Sequence, residues 1–257
     1  MKTLVVAAQK GGQGKTAMAC HLAFDFAERG LRVVVIDLDA QGNASWTLGS
    51  HRTVICASEL FSASAATSLA KHLKNFSGER LTLVPADAGL ANLDKMEISK
   101  AANSLRQCIG VLEDHFDVCI IDTAPSLGVG MTSALLSSDF IMTPIEMEAY
   151  SLRGMKMMVS LFTNLRQQNP KLKFLGMLPN RVDSRKPRHI ANLDELKKAY
   201  AQLLMPVSIG ARDSIAEALG AQMPVWHIKR TAARKAIKEV RGLADYVYKK
   251  MELANGR

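Results

Sequence analysis

Lys10-Gly11-Gly12-Gln13-Gly14-Lys15-Thr16 is the stretch on which the reading of this chain turns. It follows an apolar run, Leu4-Val5-Val6-Ala7-Ala8, that reads as a buried strand. It precedes Ala17 to Glu28, where Met18, Leu22, Ala23 and Phe26 recur at helical spacing. Strand, glycine loop and helix in that order form the setting of a phosphate-binding loop, not of a glycine-rich turn with incidental lysines. The glycines let backbone N–H groups turn inward, and the helix N-terminus adds partial positive charge. In such a loop Lys15 reaches the β- and γ-phosphates and the Thr16 hydroxyl binds Mg²⁺.

Two further apolar runs end in acids. Leu31 to Leu38 reads as a strand buried on both faces, as in a parallel sheet covered by helices. It leads into Asp37-Leu38-Asp39-Ala40-Gln41-Gly42-Asn43. Carboxylates two residues apart on a strand point to the same side, and the C-terminal edge is where open α/β sheets bind ligands. Such a carboxylate supports Mg²⁺ or orients an attacking water; the plainer reading is a polar loop closing a strand. Phe116 to Asp122 is the other run, followed by Thr123-Ala124-Pro125-Ser126-Leu127-Gly128. One apolar strand ending in Asp is common. A phosphate loop, a paired acid and a third strand-end acid together are specific.

The glycine loop departs from the usual G-x-x-x-x-G-K-[ST] pattern, because Gln9 stands where the first glycine belongs and Lys10 opens the loop. This form resembles the deviant Walker A motif of the ParA/MinD ATPases. The resemblance runs from Met1 to about Met251 and rests on residues 10–16, 37–43, 122–128 and 180–183. It implies an α/β fold, a mostly parallel sheet with helices on both faces, of the P-loop NTPase type. It implies ATP and ADP as ligands of Lys10, Gly11, Gly12, Gln13, Gly14, Lys15, Thr16 and Ala17, and Mg²⁺ near Thr16, Asp37 and Asp122. Lys10 then crosses a dimer interface to the partner's nucleotide, and Asp39 positions the hydrolytic water. The family usually has Pro where this chain has Ala40. Asn180 takes the place of an adenine-reading residue, with a simple turn-forming role as its alternative. The loop after Pro206 closes over the base.

The remaining chain gives a coarser picture. Ser62 to Thr67 reads as a loop, Leu81 to Pro85 as a strand, and residues 97–114 as a helix with Ile98, Leu105, Ile109 and Leu112 in a stripe. Phe140 to Ile145, Leu172 to Leu178 and Leu203 to Ser208 read as strands, and Ser151 to Gln168 as a long helix. Thr231 to Met251 is a helical pattern whose apolar face carries Ala236, Val240, Leu243 and Val247. Arg230, Arg234, Lys238 and Arg241 gather on a neighbouring arc of about 80°, with Lys235 further round. Such a stripe can track phosphates without reading bases, or be a solvated helix face. The family resemblance favours nonspecific double-stranded DNA and adds Arg212 to the surface.

Composition sets the outer bounds. The 257 residues are 48% apolar, enough for one sizeable core, and no linker or repeat divides them, so one domain over 1–257 is expected. Net charge is +9, with a pI near 9.5, which suits a polyanionic partner without choosing among them. Cys20, Cys56, Cys108 and Cys119 have no metal-ligand spacing and read as buried thiols in a reducing cytosol. The N-terminus enters a strand at once, and no apolar run approaches the ~20 residues of a membrane span. No helix-turn-helix pattern precedes the phosphate loop, so operator-specific repression is not expected. The resemblance implies a cytoplasmic, nucleoid-associated ATPase for plasmid or chromosome partition. It would dimerise with ATP, bind DNA without membrane, and be stimulated by a ParB-type partner. A MinD-like membrane switch is the alternative, against which the polar tail Met251 to Arg257 argues. An iron–sulfur enzyme of the same fold would want cysteines at loop ends, whereas Cys119 sits within a strand.

Overall fold

The computed structural model describes residues 1–74, 79–147 and 163–255. Strands β1 (Lys2–Val6), β2 (Val33–Leu38), β3 (Leu81–Val84), β4 (Val118–Thr123), β5 (Phe140–Glu146) and β6 (Lys173–Asn180) form one sheet of order β3-β2-β4-β1-β5-β6. Every neighbouring pair is parallel. All six residues of β2 and of β4 are buried, which is why their sequences are continuous apolar runs.

Helices cover both faces. Those lying wholly within the described residues are, in chain order, α1 (Lys15–Glu28), α2 (Asn43–Thr47), α3 (Ala65–Leu73), α4 (Ile98–Leu112), α5 (Val129–Leu136), α6 (Pro187–Tyr200), α7 (Asp213–Gly220) and α8 (Ala233–Lys250). Leu4, Val6, Val33 and Val35 pack with Leu22 and Phe26 of α1 and Leu243 and Val247 of α8. Their strand neighbours Val5, Val34 and Ile36 point the other way, onto Leu69 of α3, Leu105 of α4 and Leu135 of α5. Each such buried Leu or Val contributes about 1.5–3 kcal/mol relative to exposure.

The register sets up the site. Val6 lies opposite Asp122, and Asp37 lies opposite the same Asp122. Three strand ends therefore deliver the glycine loop and two acids to one edge.

Three local expectations change, and a fourth falls largely outside the described residues. Residues Ala65 to Thr67 begin α3, so the small-residue segment is only partly loop. Ile98 is 41% exposed, because it is the first residue of α4 and overhangs the core. Leu203 to Ser208 is no regular strand. That segment touches β6 through one isolated bridge, Met177 to Leu204, after a short 3-10 turn ending at Leu203; a second bridge, Val182 to Gly210, follows beyond both. The long helix expected at Ser151 to Gln168 lies mostly outside the described residues; 163–168 are helical.

Candidate nucleotide site and basic surface

The glycine loop leaves β1 and is shaped by left-handed backbone. Gly12 has φ 76° and Gly14 has φ 84°. A Cβ on Gly14 would fall 2.2 Å from Asn180 Nδ2, so both conformation and space require glycine there. Gly11 and Gly12 have nothing within 4 Å of a notional Cβ, so the loop's inner side opens on a cleft. The cleft holds about 560 Å³ and is lined by Lys15, Thr16, Asp39, Trp46 and Pro125 among others.

Charge in this cleft is incompletely paired. Lys15 is 6% exposed, and burial pulls its ammonium below the usual lysine range against the attraction of Asp122 and Asp39. Thr16 Oγ1 donates to Asp122 Oδ2 at 2.6 Å. Asp122 is fully buried and its Oδ1 accepts no hydrogen bond. Burial, followed by repulsion from Asp37, pushes the Asp122 carboxyl up to about 8. A buried carboxylate oxygen without a donor, beside a threonine hydroxyl, is the donor set that a hard cation completes. Among the described residues no group of three His, Cys, Asp or Glu could hold a metal alone. An ion here would share its shell with ligand phosphates and water.

The other acids divide their work. Asp37 Oδ2 accepts from the Ser45 backbone at 2.8 Å and from Ser45 Oγ at 2.7 Å. Its Oδ1 accepts from the Asp39 backbone at 3.1 Å. Asp37, expected near the metal, lies opposite Asp122 and pins the loop that carries Asp39 to the first turn of α2. Asp39 lies past the end of β2, so the alternation of side chains along a strand does not govern it. It lines the cleft, with Oδ1 accepting from the Gln41 backbone at 3.0 Å. Lys10 is exposed at the loop's start.

Gln13 and Asn180 form a clasp. The Glu146 backbone donates to Gln13 Oε1 at 2.7 Å. Asn180 Nδ2 donates to the Gln13 carbonyl at 2.7 Å, and Asn180 is 2% exposed. The Asn180 amide, expected to face a base, is thus turned to the loop backbone in this structure. A second cavity of about 300 Å³ lies alongside, between the loop and the stretch Gly210 to Asp213. Pro206 is exposed and does not line it; Gly210, Ala211 and Arg212 do. These three residues belong to the loop after Pro206 that was expected over the base, though the sequence singled out Arg212 for DNA and not for this wall. Sequence reasoning passed over Trp46, which lies 65% exposed at the cleft mouth three residues after the D-x-Q-G-N run.

The basic stripe is smaller than its sequence suggests. Arg234, Lys235 and Lys238 are exposed and make no ion pair among the described residues. Arg230 precedes α8, so a helical wheel does not place it, and it pairs with Glu217 at 3.1 Å. Arg212 pairs with Glu239 at 2.6 Å. Arg241 departs furthest from expectation: its guanidinium bonds the buried Asp25, reaches Glu28 at 2.6 Å and stacks 3.6 Å from the Trp226 ring centroid. The helical wheel counted its charge but could not see that α1 presents two acids to it. His21 reinforces this join, its Nε2 accepting from the Val225 backbone at 3.2 Å. No helix among the described residues is long and apolar enough to cross a membrane.

Residues 1–174 match a family described as an AAA domain. The chain is 65% identical over 254 residues to protein IncC of Escherichia coli, covering 99% of this chain and 71% of that one. It is 31% identical over 188 residues to the chromosome-partitioning ATPase Soj of Thermus thermophilus, covering 72% of this chain and 71% of Soj. Among solved structures, cobyrinic acid a,c-diamide synthase of Mycobacterium smegmatis, with an ATP analogue and magnesium, superposes with a TM-score of 0.74 at 28% identity. That match covers 100% of this chain and 97% of the synthase. With a six-stranded parallel sheet, a glycine loop led by a second lysine, and these relatives, the chain belongs to the ParA family of P-loop partition ATPases.

Proposed function

We propose that this chain is an ATP-driven switch for partition of a plasmid or chromosome, working as a single domain. The observation that carries the reading is Asp122: a fully buried carboxylate with one oxygen on Thr16 and the other without a donor, beside a desolvated Lys15. That arrangement is costly unless a cation and an anion arrive together.

In this reading Lys15 and the N–H groups of Gly11 to Thr16 hold the ATP phosphates. Thr16 and Asp122 hold Mg²⁺, with Asp37 fixing the neighbouring loop. Bound there, Mg²⁺ neutralises phosphate charge and polarises the transferred group. Asp39 orients the attacking water, and Asp37 and Ser45 hold the Asp39 loop in place. Lys10, exposed at the rim, completes the site of a second copy, so ATP favours a homodimer. Asn180 turns from the loop to the base when nucleotide enters. The dimer places two sets of Arg234, Lys235 and Lys238 on DNA, with Arg230 and Arg212 at their margin. Doubling the phosphate contacts steepens affinity without sequence preference. Hydrolysis, slow alone and accelerated by a ParB-type centromere-binding protein, returns the monomer and releases DNA. A nucleoid-associated protein of the cytoplasm follows. Met251 and Leu253 are packed in the core, so they offer no membrane anchor.

Asp39→Ala tests the assignment. Phosphate release should fall to background while sedimentation still shows ATP-dependent dimers. Retained turnover would remove Asp39 from its role.

A further inference from the structure

We infer that Glu239 is a positioning residue that ties the base-side wall of the nucleotide cleft to the basic helix and holds Arg212 back from solvent phosphates. The Gly210 backbone N–H donates to Glu239 Oε2 at 2.9 Å, in a residue that is itself buried. Arg212 Nε donates to the same oxygen at 3.2 Å, and Arg212 Nη2 donates to Oε1 at 2.6 Å. One carboxylate on α8 thus takes three bonds from a three-residue stretch, and that stretch walls the cavity beside the glycine loop. The opposite wall is Gly12, Gly14 and Asn180.

The placement makes the contact more than a surface pair. Glu239 directly follows Lys238 and lies one turn from Lys235, so it sits within the basic stripe and cancels one of its charges. The Arg212 and Glu239 side chains are only 30% and 24% exposed, which limits screening by solvent. The guanidinium packs over Gly210, where a Cβ would come within 2.6 Å of Nη2. A ligand that fills the cavity and shifts Gly210 to Arg212 must therefore move them relative to α8, or carry α8 along. In either case the state of the base pocket is felt at the phosphate-facing surface.

This rests on the DNA reading above, and the test separates the two. Wild type, Glu239→Gln, Gly210→Ala and Glu217→Gln are compared by anisotropy on a labelled arbitrary duplex, with ATP and without nucleotide. A fluorescent ADP analogue is titrated into each without DNA. Glu239→Gln removes the charge but keeps an acceptor for Gly210. Gly210→Ala displaces the guanidinium and keeps every charge. Glu217→Gln frees Arg230 with the same change in net charge. Glu239→Gln and Gly210→Ala should raise nucleotide-free DNA affinity about fivefold, near the effect of one added phosphate contact, and shrink the ATP-to-free ratio accordingly. Both should also weaken the ADP analogue severalfold. Glu217→Gln should change both DNA states equally and leave the analogue alone. An unchanged ratio and unchanged analogue affinity in Glu239→Gln and Gly210→Ala would overturn the inference, as would Glu217→Gln matching them. If wild type binds no DNA in any state, the DNA reading fails by itself, and the analogue titration decides on the wall. Should Glu239→Gln melt early, Gly210→Ala carries the decision.

Discussion

Asp122 and Asp25 are both fully buried carboxylates, and the protein treats them in opposite ways. Asp25 on α1 is held by Arg29 and Arg241, with Asp245 and Glu28 completing the network. Asp122 has one hydroxyl and an oxygen with no donor. The first carboxyl is satisfied from within the chain and serves the join between α1 and α8. The second is left incomplete at an open cleft, which in a native protein points to a ligand. Burial alone does not mark a functional acid; the missing partner does.

The sharpest way to break this contrast is to remove one charge from each region. Lys15→Ala should weaken ATP binding by roughly 100-fold, consistent with ~3 kcal/mol for a buried charged hydrogen bond. Calorimetric titration checks it, and the melting temperature of the nucleotide-free protein should hardly move. Asp25→Ala should do the reverse. Arg29 and Arg241 lose their shared partner but keep Asp245 and Glu28, so the change should cost about 1.5–3 kcal/mol in denaturant unfolding. If Asp25→Ala proved as stable as wild type, the network would not be what holds α8 on α1.

A pH series sharpens the same point. The Asp122 carboxyl titrates near 3.8 unfolded and is pushed up to about 8 in the fold. Between those values the folded state holds the extra proton. Its contribution is full below 3.8 and is lost as pH rises through about 8. Burial lowers His21 to about 4 from 6.5, which acts oppositely: that contribution is lost as pH falls from 6.5 to 4. Stability of the nucleotide-free protein should therefore decline chiefly between pH 6.5 and 8. Asp122→Asn should flatten that decline and be at least as stable as wild type at the upper end. An unchanged slope would mean that Asp122 is not the source.

The smallest effect belongs to the exposed stripe. Lys235→Ala or Lys238→Ala should change unfolding free energy by less than about 0.5 kcal/mol. Each should lower the salt dependence of DNA binding by about one unit of slope per bound copy. Arg241→Ala, in contrast, should cost stability first, because its charge is spent on Asp25 and Glu28.

The nucleotide side was legible because its signals are local. A strand buried on both faces is an unbroken apolar run, and Gly12 and Gly14 stand where the backbone turns left-handed. The basic side was legible only in part. The sequence shows where Arg241, Arg230 and Arg212 fall along the chain, but their partners Glu28, Glu217 and Glu239 come from elements that only tertiary packing brings near. The same holds for the bond from Ser45 to Asp37, which the sequence did not show, although the place of Asp37 at the end of β2 was legible. The segment Leu203 to Ser208 had the apolar content of a strand, yet its bridging to β6 is confined to one isolated bridge, at Leu204.

The most direct measurement is binding to a labelled duplex of arbitrary sequence, with ATP, with ADP and with neither, across a salt series. An ATP-driven partition switch predicts binding that needs ATP, falls steeply with salt and ignores sequence. Equal affinity in all three nucleotide states, or no binding in any, would contradict it.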